Sequence, residues 1–314
     1  MPVESESLVN PNVTRNAARI AEQFAPRKPF RHVVIDDFLS ADYARQLLAE
    51  FPDFERGNAR NEAGDLGNKS TVERIRELGS PYRDLDDLIK SNEFLELIGN
   101  LTGIENLLYD PWYFGGGTHE NREGQDLDPH VDFNRHPIEN WHRRLNLIVY
   151  LNPEWEDNWG GSLEIHTDPR TGDNRTQLIT PLFNRCVIFE TTETSWHGFS
   201  RISLPDDKKA LSRRSIALYF YTVDRPSEEL ADPHSTIYVD RALPEHFVEE
   251  KILDAADIVE LKTLLARRDQ HNQRLYRDIT RLSADLEQAR SALYAGNLGR
   301  LRYLAKIVRE KLRR

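Results

Sequence analysis

The feature that most constrains this chain is a set of three residues that could hold one metal ion. His130 and Asp132 are separated by a single residue, and His197 lies much later, in the segment Trp196-His197-Gly198. In an extended strand, side chains two residues apart project from the same face, so His130 and Asp132 can converge on one ion. Two histidines and one carboxylate on one face of an ion leave its opposite coordination positions open, as in non-haem iron sites. A lone His-x-Asp is also common in surface sequence, so this prediction depends on motifs further along the chain.

A second motif lies in the apolar segment 212–222, which is rich in aromatic and aliphatic residues and predicts a strand. Arg213 and Ser215 alternate onto one face of that strand. A guanidinium binds a carboxylate with two parallel hydrogen bonds, so the pair predicts an anchor for a dicarboxylate. Arg214 would take this place if the register moved by one residue, but it alternates with the apolar Ile216. The alternative is an arginine at a strand entrance that is solvated or ion-paired.

Taken in order along the chain, these motifs resemble those of the 2-oxoglutarate and Fe(II)-dependent oxygenase superfamily, specifically its prolyl 4-hydroxylase-like branch. The resemblance implies a mainly β fold with flanking helices, built on a double-stranded β-helix (jelly-roll, cupin-like) core. It covers roughly residues 30–225 and rests on five motifs: His130-x-Asp132, the strand 144–152, Gly160-Gly161-Ser162-Leu163, Trp196-His197-Gly198 and Arg213-x-Ser215.

The resemblance also implies the cofactors and the reaction. Fe(II) would be held by the three metal ligands, with 2-oxoglutarate and dioxygen as co-substrates and L-ascorbate as a possible addition. The expected reaction is hydroxylation of an unactivated C–H bond, with release of succinate and carbon dioxide. Tyr150 matches a tyrosine that family members place near the distal carboxylate of 2-oxoglutarate, although it could equally be an ordinary half-buried strand tyrosine. Asn146 and Ile148 share its strand face and are assigned to the same pocket.

The substrate is less well defined by the sequence than the cofactors. A peptidyl proline, a free amino acid, a sugar or a biosynthetic intermediate could each be presented to the same metal. Asn134, Tyr113 and the charged loop 53–78 are the candidate selectivity residues. The nearest alternative is an enzyme of the same fold that halogenates or desaturates its substrate, and halogenation is disfavoured because Asp132 occupies the position that a halide would need. From a different class of protein, the alternative is a non-catalytic β-helix binding module dimerised by a coiled coil.

Composition and charge narrow the remaining classes of protein. The 314 residues are 39% hydrophobic and include one cysteine, so an intramolecular disulfide is excluded, and Cys186 is expected to be a buried strand residue. The acidic first residues lack the features of a signal peptide, and the chain has no apolar run of about 20 residues. We therefore expect a cytoplasmic protein. Nucleic acid is not an expected partner, since no basic stripe is interleaved with aromatic residues. Most histidines outside the metal motif are expected at the surface.

The charge distribution divides the chain near residue 250. Residues 254–314 contain 14 Lys and Arg against 8 Asp and Glu, whereas residues 1–253 contain 28 against 44. We predict an oxygenase domain over 1–250, with core motifs at about 105–225, and a helical or coiled-coil tail over 251–314.

The tail contains two patterns. Apolar residues over 258–293 recur at alternating spacings of three and four, which is typical of a coiled coil. A homodimer is one interpretation, and a helix packed against its own domain is the other. Residues 300–314 predict a basic amphipathic helix, which would bind an anionic membrane surface or an acidic partner, or remain a solvated tail.

Overall fold

A computed structural model of the chain describes residues 8–25, 28–57, 69–239, 243, 246–294, 301, 304–305 and 308. The described residues fall into two compact units, one that ends at residue 239 and one that lies after it in the chain. The first unit contains both predicted motifs. The second consists mainly of one long helix.

Among its described residues, the first unit contains five α-helices, which flank its sheets. The fifth shows how the local sequence sets their limits: the Ser91 hydroxyl accepts the backbone N–H of Phe94 (3.2 Å), and Gly103 ends the helix in the left-handed conformation (φ 70°). Between these ends, Phe94, Ile98 and Leu101 are buried on one face. The helices are α1 (Pro11–Arg15), α2 (Ala17–Phe24), α3 (Ala41–Ala49), α4 (Ser80–Ile89) and α5 (Asn92–Thr102).

Twelve strands form two antiparallel sheets among the described residues. In chain order they are β1 (His32–Ile35), β2 (Lys69–Val72), β3 (Leu108–Tyr109), β4 (Gly117–Asn121), β5 (Leu127–Val131), β6 (His142–Tyr150), β7 (Leu163–His166), β8 (Thr176–Ile179), β9 (Cys186–Glu190), β10 (His197–Phe199), β11 (Arg213–Thr222) and β12 (Ile237–Tyr238).

The two sheets alternate along the chain. The seven-stranded sheet has the order β1-β9-β6-β11-β4-β2, with β3 also paired to β11, and the five-stranded sheet has the order β12-β5-β10-β7-β8. From β4 to β11, successive strands change sheet at each step except between β7 and β8. This connectivity is consistent with a double-stranded β-helix, and the prediction of a mainly β fold with flanking helices is confirmed.

Alternation along β6 assigns its side chains to two layers. Leu145, Leu147 and Val149 lie in one apolar cluster with residues of the flanking helices. Tyr150, on the opposite face, packs in a second cluster with Leu163 of the five-stranded sheet. The seven-stranded sheet therefore has helices on one side and the smaller sheet on the other. Burying each large aliphatic side chain contributes about 1.5–3 kcal/mol to this packing.

An asparagine fastens the loop after β1 to the turn before β9. The Asn184 side chain accepts the N–H of Leu39 (3.0 Å) and donates to the Leu39 carbonyl (2.8 Å). Asn184 has a positive φ of 58°, a conformation that asparagine tolerates better than most residues. This amide thus satisfies two buried backbone groups far along the chain from the metal motif.

Several local predictions can be compared with the structure. The strand predicted at 212–222 is confirmed as β11, and Cys186 is buried in β9 as expected. The loop predicted over 53–78 is wrong in part, because residues 69–72 form β2 and pair with β4. Residues 58–68 of that loop lie outside the described residues. The prediction that most other histidines lie at the surface is also wrong, since four are buried: His32, His136, His142 and His166.

The second unit contains a 40-residue helix, α6 (Ala255–Tyr294). At its start, Asp254 and Asp257 each accept the other's backbone N–H (2.9 and 3.1 Å), which satisfies amides that a helix end leaves unpaired. Much of the apolar pattern predicted over 258–293 is exposed, with side chains that are 52–62% accessible: Leu265, Leu275, Ile279, Leu282 and Leu286. Within the described part of the chain, no helix combines the length and apolar character needed to cross a membrane.

Candidate metal centre and co-substrate pocket

The three predicted metal ligands come together at the paired ends of two strands. His130 in β5 lies directly opposite His197 in β10, and Asp132 comes just after the end of β5. The Asp132 carboxylate oxygens lie 3.7 Å from His130 Nε2 and 3.5 Å from His197 Nε2. One ligand atom from each residue can be chosen so that all three lie within 4.8 Å of one another. All three side chains are buried, so the sheet holds them close together away from bulk water.

Hydrogen bonds set the two imidazoles in the form that binds a metal. His130 Nδ1 lies 2.9 Å from the Asp128 carbonyl, and His197 Nδ1 lies 2.9 Å from the Ser195 carbonyl. Because a carbonyl can only accept, each Nδ1 must carry the proton, which leaves the Nε2 lone pair for a metal. Burial is also the main reason that the pKa of each histidine lies below its usual value. Both rings are therefore neutral near pH 7.

The carboxylate is held in its ionised form. Burial opposes ionisation of Asp132, but the positive charge of Arg143 and the hydrogen bond from Asn146 lower its pKa below the usual range. Two neutral imidazoles and one carboxylate, buried and within reach of one another, are the donor set of a non-haem Fe(II) site. The residues present therefore fit this metal.

A buried arginine and an asparagine orient the Asp132 carboxylate. Asn146 Nδ2 donates to Asp132 Oδ2 (2.7 Å), and Arg143 Nη2 lies 3.1 Å from the same oxygen. Arg143 also donates twice to Asn146 Oδ1, from Nε (3.0 Å) and Nη2 (2.7 Å). Its guanidinium lies 3.6 Å from the ring centroid of Tyr219 and 4.4 Å from that of Phe133. The Asn146 side chain thus contacts the metal carboxylate rather than Arg213.

The sequence did not indicate Arg143 as a site residue, because strict alternation along the strand places it on the opposite face from Asn146. The pairing of β6 with β11 shifts at this point: Leu145 lies opposite Phe220, whereas Arg143 lies opposite Tyr221. A step of one residue along β11 therefore corresponds to a step of two residues along β6, which is the pattern of a β-bulge. The bulge reverses the alternation and brings Arg143 to the side of the metal ligands.

A second buried arginine has a different environment. Arg213 is 5% exposed, donates from Nε to the Gly161 carbonyl (2.6 Å) and from Nη2 to the Tyr150 hydroxyl (3.1 Å). Its guanidinium lies 4.3 Å from the ring centroid of Phe199. Burial lowers the pKa of Arg213. Within the described ranges, no carboxylate lies at ion-pairing distance from it, so this buried cation can accept an anionic ligand.

Gly161 makes this position of Arg213 possible. The glycine has a positive φ of 70°, and a Cβ added to it would lie 3.3 Å from Arg213 Cδ and 3.1 Å from the Trp155 ring. A larger residue would therefore crowd the arginine as well as strain the backbone.

The remaining residues predicted for the co-substrate pocket lie near Tyr150. Ser215 is buried and pairs directly with Tyr150 across β11 and β6. Ile148 is half-buried and packs against the apolar cluster that contains Tyr150. Arg213, Ser215 and Tyr150 are thus brought together on neighbouring strands.

The two candidate substrate residues have partners within the chain. Asn134 donates to the Asp232 carbonyl (2.9 Å) and accepts the His234 N–H (3.0 Å), which fixes the segment that leads to β12. Strand β12 then pairs with β5, and the Tyr238 ring centroid lies 5.2 Å from that of His130. Tyr113 is buried, and its hydroxyl donates to Asp86 Oδ1 (2.8 Å). Both side chains therefore have a role in holding the fold.

His119 is a further residue that sequence reasoning missed. It lies in β4 directly opposite Ser215, and its Nε2 is 3.1 Å from the Gly115 carbonyl. Burial, with the added repulsion of Lys69, lowers the pKa of His119 well below its usual value. A lone histidine without ligand spacing gave no sequence signal for this position.

Comparison with known proteins agrees with this geometry. Residues 116–221 match the profile of the 2OG-Fe(II) oxygenase superfamily. The chain is 24% identical over 237 residues to prolyl 3-hydroxylase OGFOD1 of Mus musculus, covering 68% of this chain and 39% of that protein. It is 24% identical over 221 residues to the Xenopus laevis protein of the same name, covering 65% and 38% respectively. The chain thus spans about two fifths of the length of these curated relatives.

Among solved structures, the chain is similar to prolyl 4-hydroxylases from Phytophthora capsici, with 16% identity, a TM-score of 0.49, and coverage of 87% of this chain and 79% of that one. It is also similar to a prolyl hydroxylase from Trichoplax adhaerens in complex with a hypoxia inducible factor peptide fragment. That similarity has 15% identity, a TM-score of 0.47, and coverage of 66% and 91%.

The resemblance to the 2-oxoglutarate and Fe(II)-dependent oxygenase superfamily that was drawn from the motifs is confirmed by the profile match over residues 116–221. The matched segment contains the three residues that could hold a metal ion, His130, Asp132 and His197.

The environment of His119 predicts how stability depends on pH. In the unfolded chain this histidine has a pKa of about 6.5, whereas the folded protein lowers it, so the unfolded state binds more protons in mildly acidic solution. The stability that the neutral ring contributes is present above pH 6.5 and is lost as the pH falls. When the pH is lowered from about 7.5 to 5.5, the free energy of unfolding should fall by about 1 kcal/mol more in the native protein than in the His119→Gln variant. Urea unfolding of both proteins, without metal, measures this difference, and equal pH slopes would contradict it.

Proposed function

We propose that this protein hydroxylates an unactivated C–H bond in a prolyl residue of a peptide or protein, and releases succinate and carbon dioxide. The similarity to prolyl 3-hydroxylases supports the choice of a peptidyl prolyl substrate over a free amino acid, a sugar or a biosynthetic intermediate. One observation carries the proposal: a buried arginine without an anionic partner in the described residues, Arg213, lies near the three buried metal ligands.

The distance between these two features suits 2-oxoglutarate. His197 and Phe199 are two residues apart in β10, so their side chains project from one face about 7 Å apart. Arg213 lies over the Phe199 ring, while His197 belongs to the triad. A short dicarboxylate could therefore reach from the triad to the guanidinium.

Each residue would have a defined role. His130, Asp132 and His197 would hold the iron, which supplies activation of dioxygen when it is bound. Arg213 would bind the distal carboxylate of 2-oxoglutarate with two charge-assisted hydrogen bonds, and the Tyr150 hydroxyl, which already contacts Arg213, would add a third. Ser215 and Ile148 would line the same pocket. Burial of the three ligands and of Arg213, Tyr150 and Ser215 excludes water, which strengthens the electrostatic interactions among them.

A non-catalytic binding module is not favoured, because such a module has no need for an intact ligand triad together with an unneutralised arginine. Halogenation is disfavoured because a halide needs the coordination position of a carboxylate. Asp132 lies close to both histidines and would supply that third ligand.

The first test of this function is turnover by the purified protein. With Fe(II) and 2-oxoglutarate, native protein should form succinate, and proline-containing peptides should both accelerate this and gain the mass of one oxygen atom. Asp132→Ala should form no succinate while it remains folded by circular dichroism, because two histidines alone do not retain the iron in this geometry. Succinate formation by a folded Asp132→Ala protein would remove Asp132 from the metal site. Oxidation of small molecules but of no peptide would show that the substrate class is wrong.

The second test compares two adjacent arginines. Arg213→Ala should weaken 2-oxoglutarate binding by about 2–5 kcal/mol, since it removes a buried charge-assisted pair. Arg214→Ala should change it little, because the Arg214 Nε donates to Glu120 (3.3 Å) and Ser212 (3.1 Å) instead. Calorimetric titration of 2-oxoglutarate into Mn(II)-loaded protein measures both. Equal effects, or a larger effect at Arg214, would show that the anchor is misassigned.

We further propose that residues 1–250 form the oxygenase domain and that residues 251–314 control assembly and location in the cytoplasm. Helix α6 supports this, because its exposed apolar residues recur at the three and four spacing that suits a homodimeric coiled coil over 258–293. The Leu293 side chain and most of the basic segment 300–314 lie outside the described residues. For this basic segment, the proposal is binding to an anionic membrane or to an acidic partner.

The coiled-coil proposal can be tested in the full-length protein. A double variant, Leu275→Glu with Leu282→Glu, places charges in the apolar seam and should convert a dimer into a monomer in light scattering. The control, Gln273→Glu with Thr280→Glu, has the same change in charge and the same spacing of seven but lies outside the seam, so it should remain dimeric. Native protein that is already monomeric would contradict the proposal.

A further inference from the structure

The two oxygens of the Asp132 carboxylate have unlike surroundings. Oδ2 lies 2.7 Å from Asn146 Nδ2 and 3.1 Å from Arg143 Nη2, both of which are donors. Oδ2 therefore accepts a hydrogen bond from Asn146 and forms an ion pair with Arg143. Oδ1 lies 3.7 Å from His130 Nε2, which is the unprotonated nitrogen of that ring and therefore no donor. Oδ2 also lies 3.5 Å from His197 Nε2, which is likewise no donor, so within the described residues Oδ1 is the oxygen to which no hydrogen-bond donor is directed.

The donors on Oδ2 are themselves fixed. Arg143 directs two N–H groups at Asn146 Oδ1, so the amide must present its NH₂ group, not its oxygen, to the carboxylate. The guanidinium is 1% exposed and lies over the Tyr219 ring. Tyr219 is held in turn by a hydrogen bond from its hydroxyl to the Gly115 carbonyl (2.9 Å). Rotation of the carboxylate would break the hydrogen bond from Asn146 and the ion pair with Arg143, and these two side chains have no room to move with it.

We propose that Asn146 and Arg143 are positioning residues that reserve Oδ2, so that Asp132 gives the metal a single oxygen. The proposal deepens the proposed function and rests on its metal site. Two histidine nitrogens and one oxygen fill about half of an octahedral coordination shell, and a chelating 2-oxo acid fills two further positions. One position then remains open. A second oxygen from Asp132 would occupy it, so the side chains that hold Oδ2 keep the site able to react.

The test counts water on the metal rather than turnover. Mn(II) replaces iron, 2-oxoglutarate is added to saturation, and the relaxation of water protons per bound ion reports exchangeable water in the remaining position. Native protein should show this enhancement. Asn146→Ala should lower it by about half or more, because the released carboxylate can turn and bind through both oxygens. Its affinity for Mn(II) should stay within about tenfold of native, at the lower end of what loss of an outer contact normally costs.

Two further variants make the result specific. Asn184→Gly also removes a buried amide that makes two hydrogen bonds, but its partner is Leu39 and not the metal carboxylate. It should lower the thermal stability and leave the relaxation per bound Mn(II) unchanged. Arg143→Lys keeps the positive charge and loses the two-pronged grip on Asn146, so it should lower the relaxation in the same direction as Asn146→Ala. This variant also decides the question if Asn146→Ala does not fold.

The outcomes separate this inference from the function on which it rests. If native protein binds neither Mn(II) nor 2-oxoglutarate, the proposed function itself fails. If native protein binds both, but the relaxation per bound ion is unchanged in Asn146→Ala and Arg143→Lys, only the positioning role is overturned. A loss of Mn(II) affinity without a change in relaxation per bound ion would assign the pair a merely structural role, and would also overturn the proposal.

Discussion

The direct pairing of His130 with His197 is the contact on which the rest of the site depends. These residues are distant in sequence, and antiparallel register between β5 and β10 places their ring centroids 4.3 Å apart. Register in a sheet is sensitive, because a slip of one residue turns every side chain to the opposite face. Hydrogen bonds tie the ring protons to the carbonyls at positions 128 and 195, so the same local backbone sets both the position and the tautomer of each ring.

Two buried arginines of the first unit differ in how their charge is compensated, and that difference would favour an anionic ligand at one of them. Arg143 and Asp132 form a buried ion pair with Asn146 between them, so the charge of the metal carboxylate is compensated inside the protein. Within the described part of the chain, the hydrogen bonds of Arg213 go to a carbonyl and a tyrosine hydroxyl, and it has no carboxylate at ion-pairing distance. A buried cation without an anion is costly, and a ligand that brings a carboxylate removes that cost. The buried guanidinium is thus available to a ligand that carries a carboxylate.

The sequence was sufficient for those parts of the site that depend on short motifs with regular alternation. His130, Asp132 and His197 converge as predicted, and Arg213 faces Tyr150 while Arg214 turns to Glu120. The sequence carried no signal for contacts that depend on a local irregularity or on a distant partner. The bulge in β6 brings Arg143 to the metal ligands against the alternation, and Asn146, expected near 2-oxoglutarate, is drawn to Asp132 as a result. Asn134 was assigned to substrate, but its partners lie about a hundred residues away in the segment before β12, which no spacing within the sequence indicates.

These features together explain why the metal site and the co-substrate pocket can be considered one unit. β6 contributes Asn146 to the metal carboxylate and Tyr150 to Arg213, and both residues project from the same face of that strand. A change in the pitch or register of β6 would therefore move the metal carboxylate and the dicarboxylate anchor together. The anchor also depends on Gly161, whose missing side chain leaves room for Arg213 against the Trp155 ring. Because any ligand that binds the folded state stabilises it by mass action, 2-oxoglutarate held at Arg213 would stabilise the strand that also orients Asp132. Binding of the co-substrate would then favour the same arrangement of side chains that keeps the metal site open.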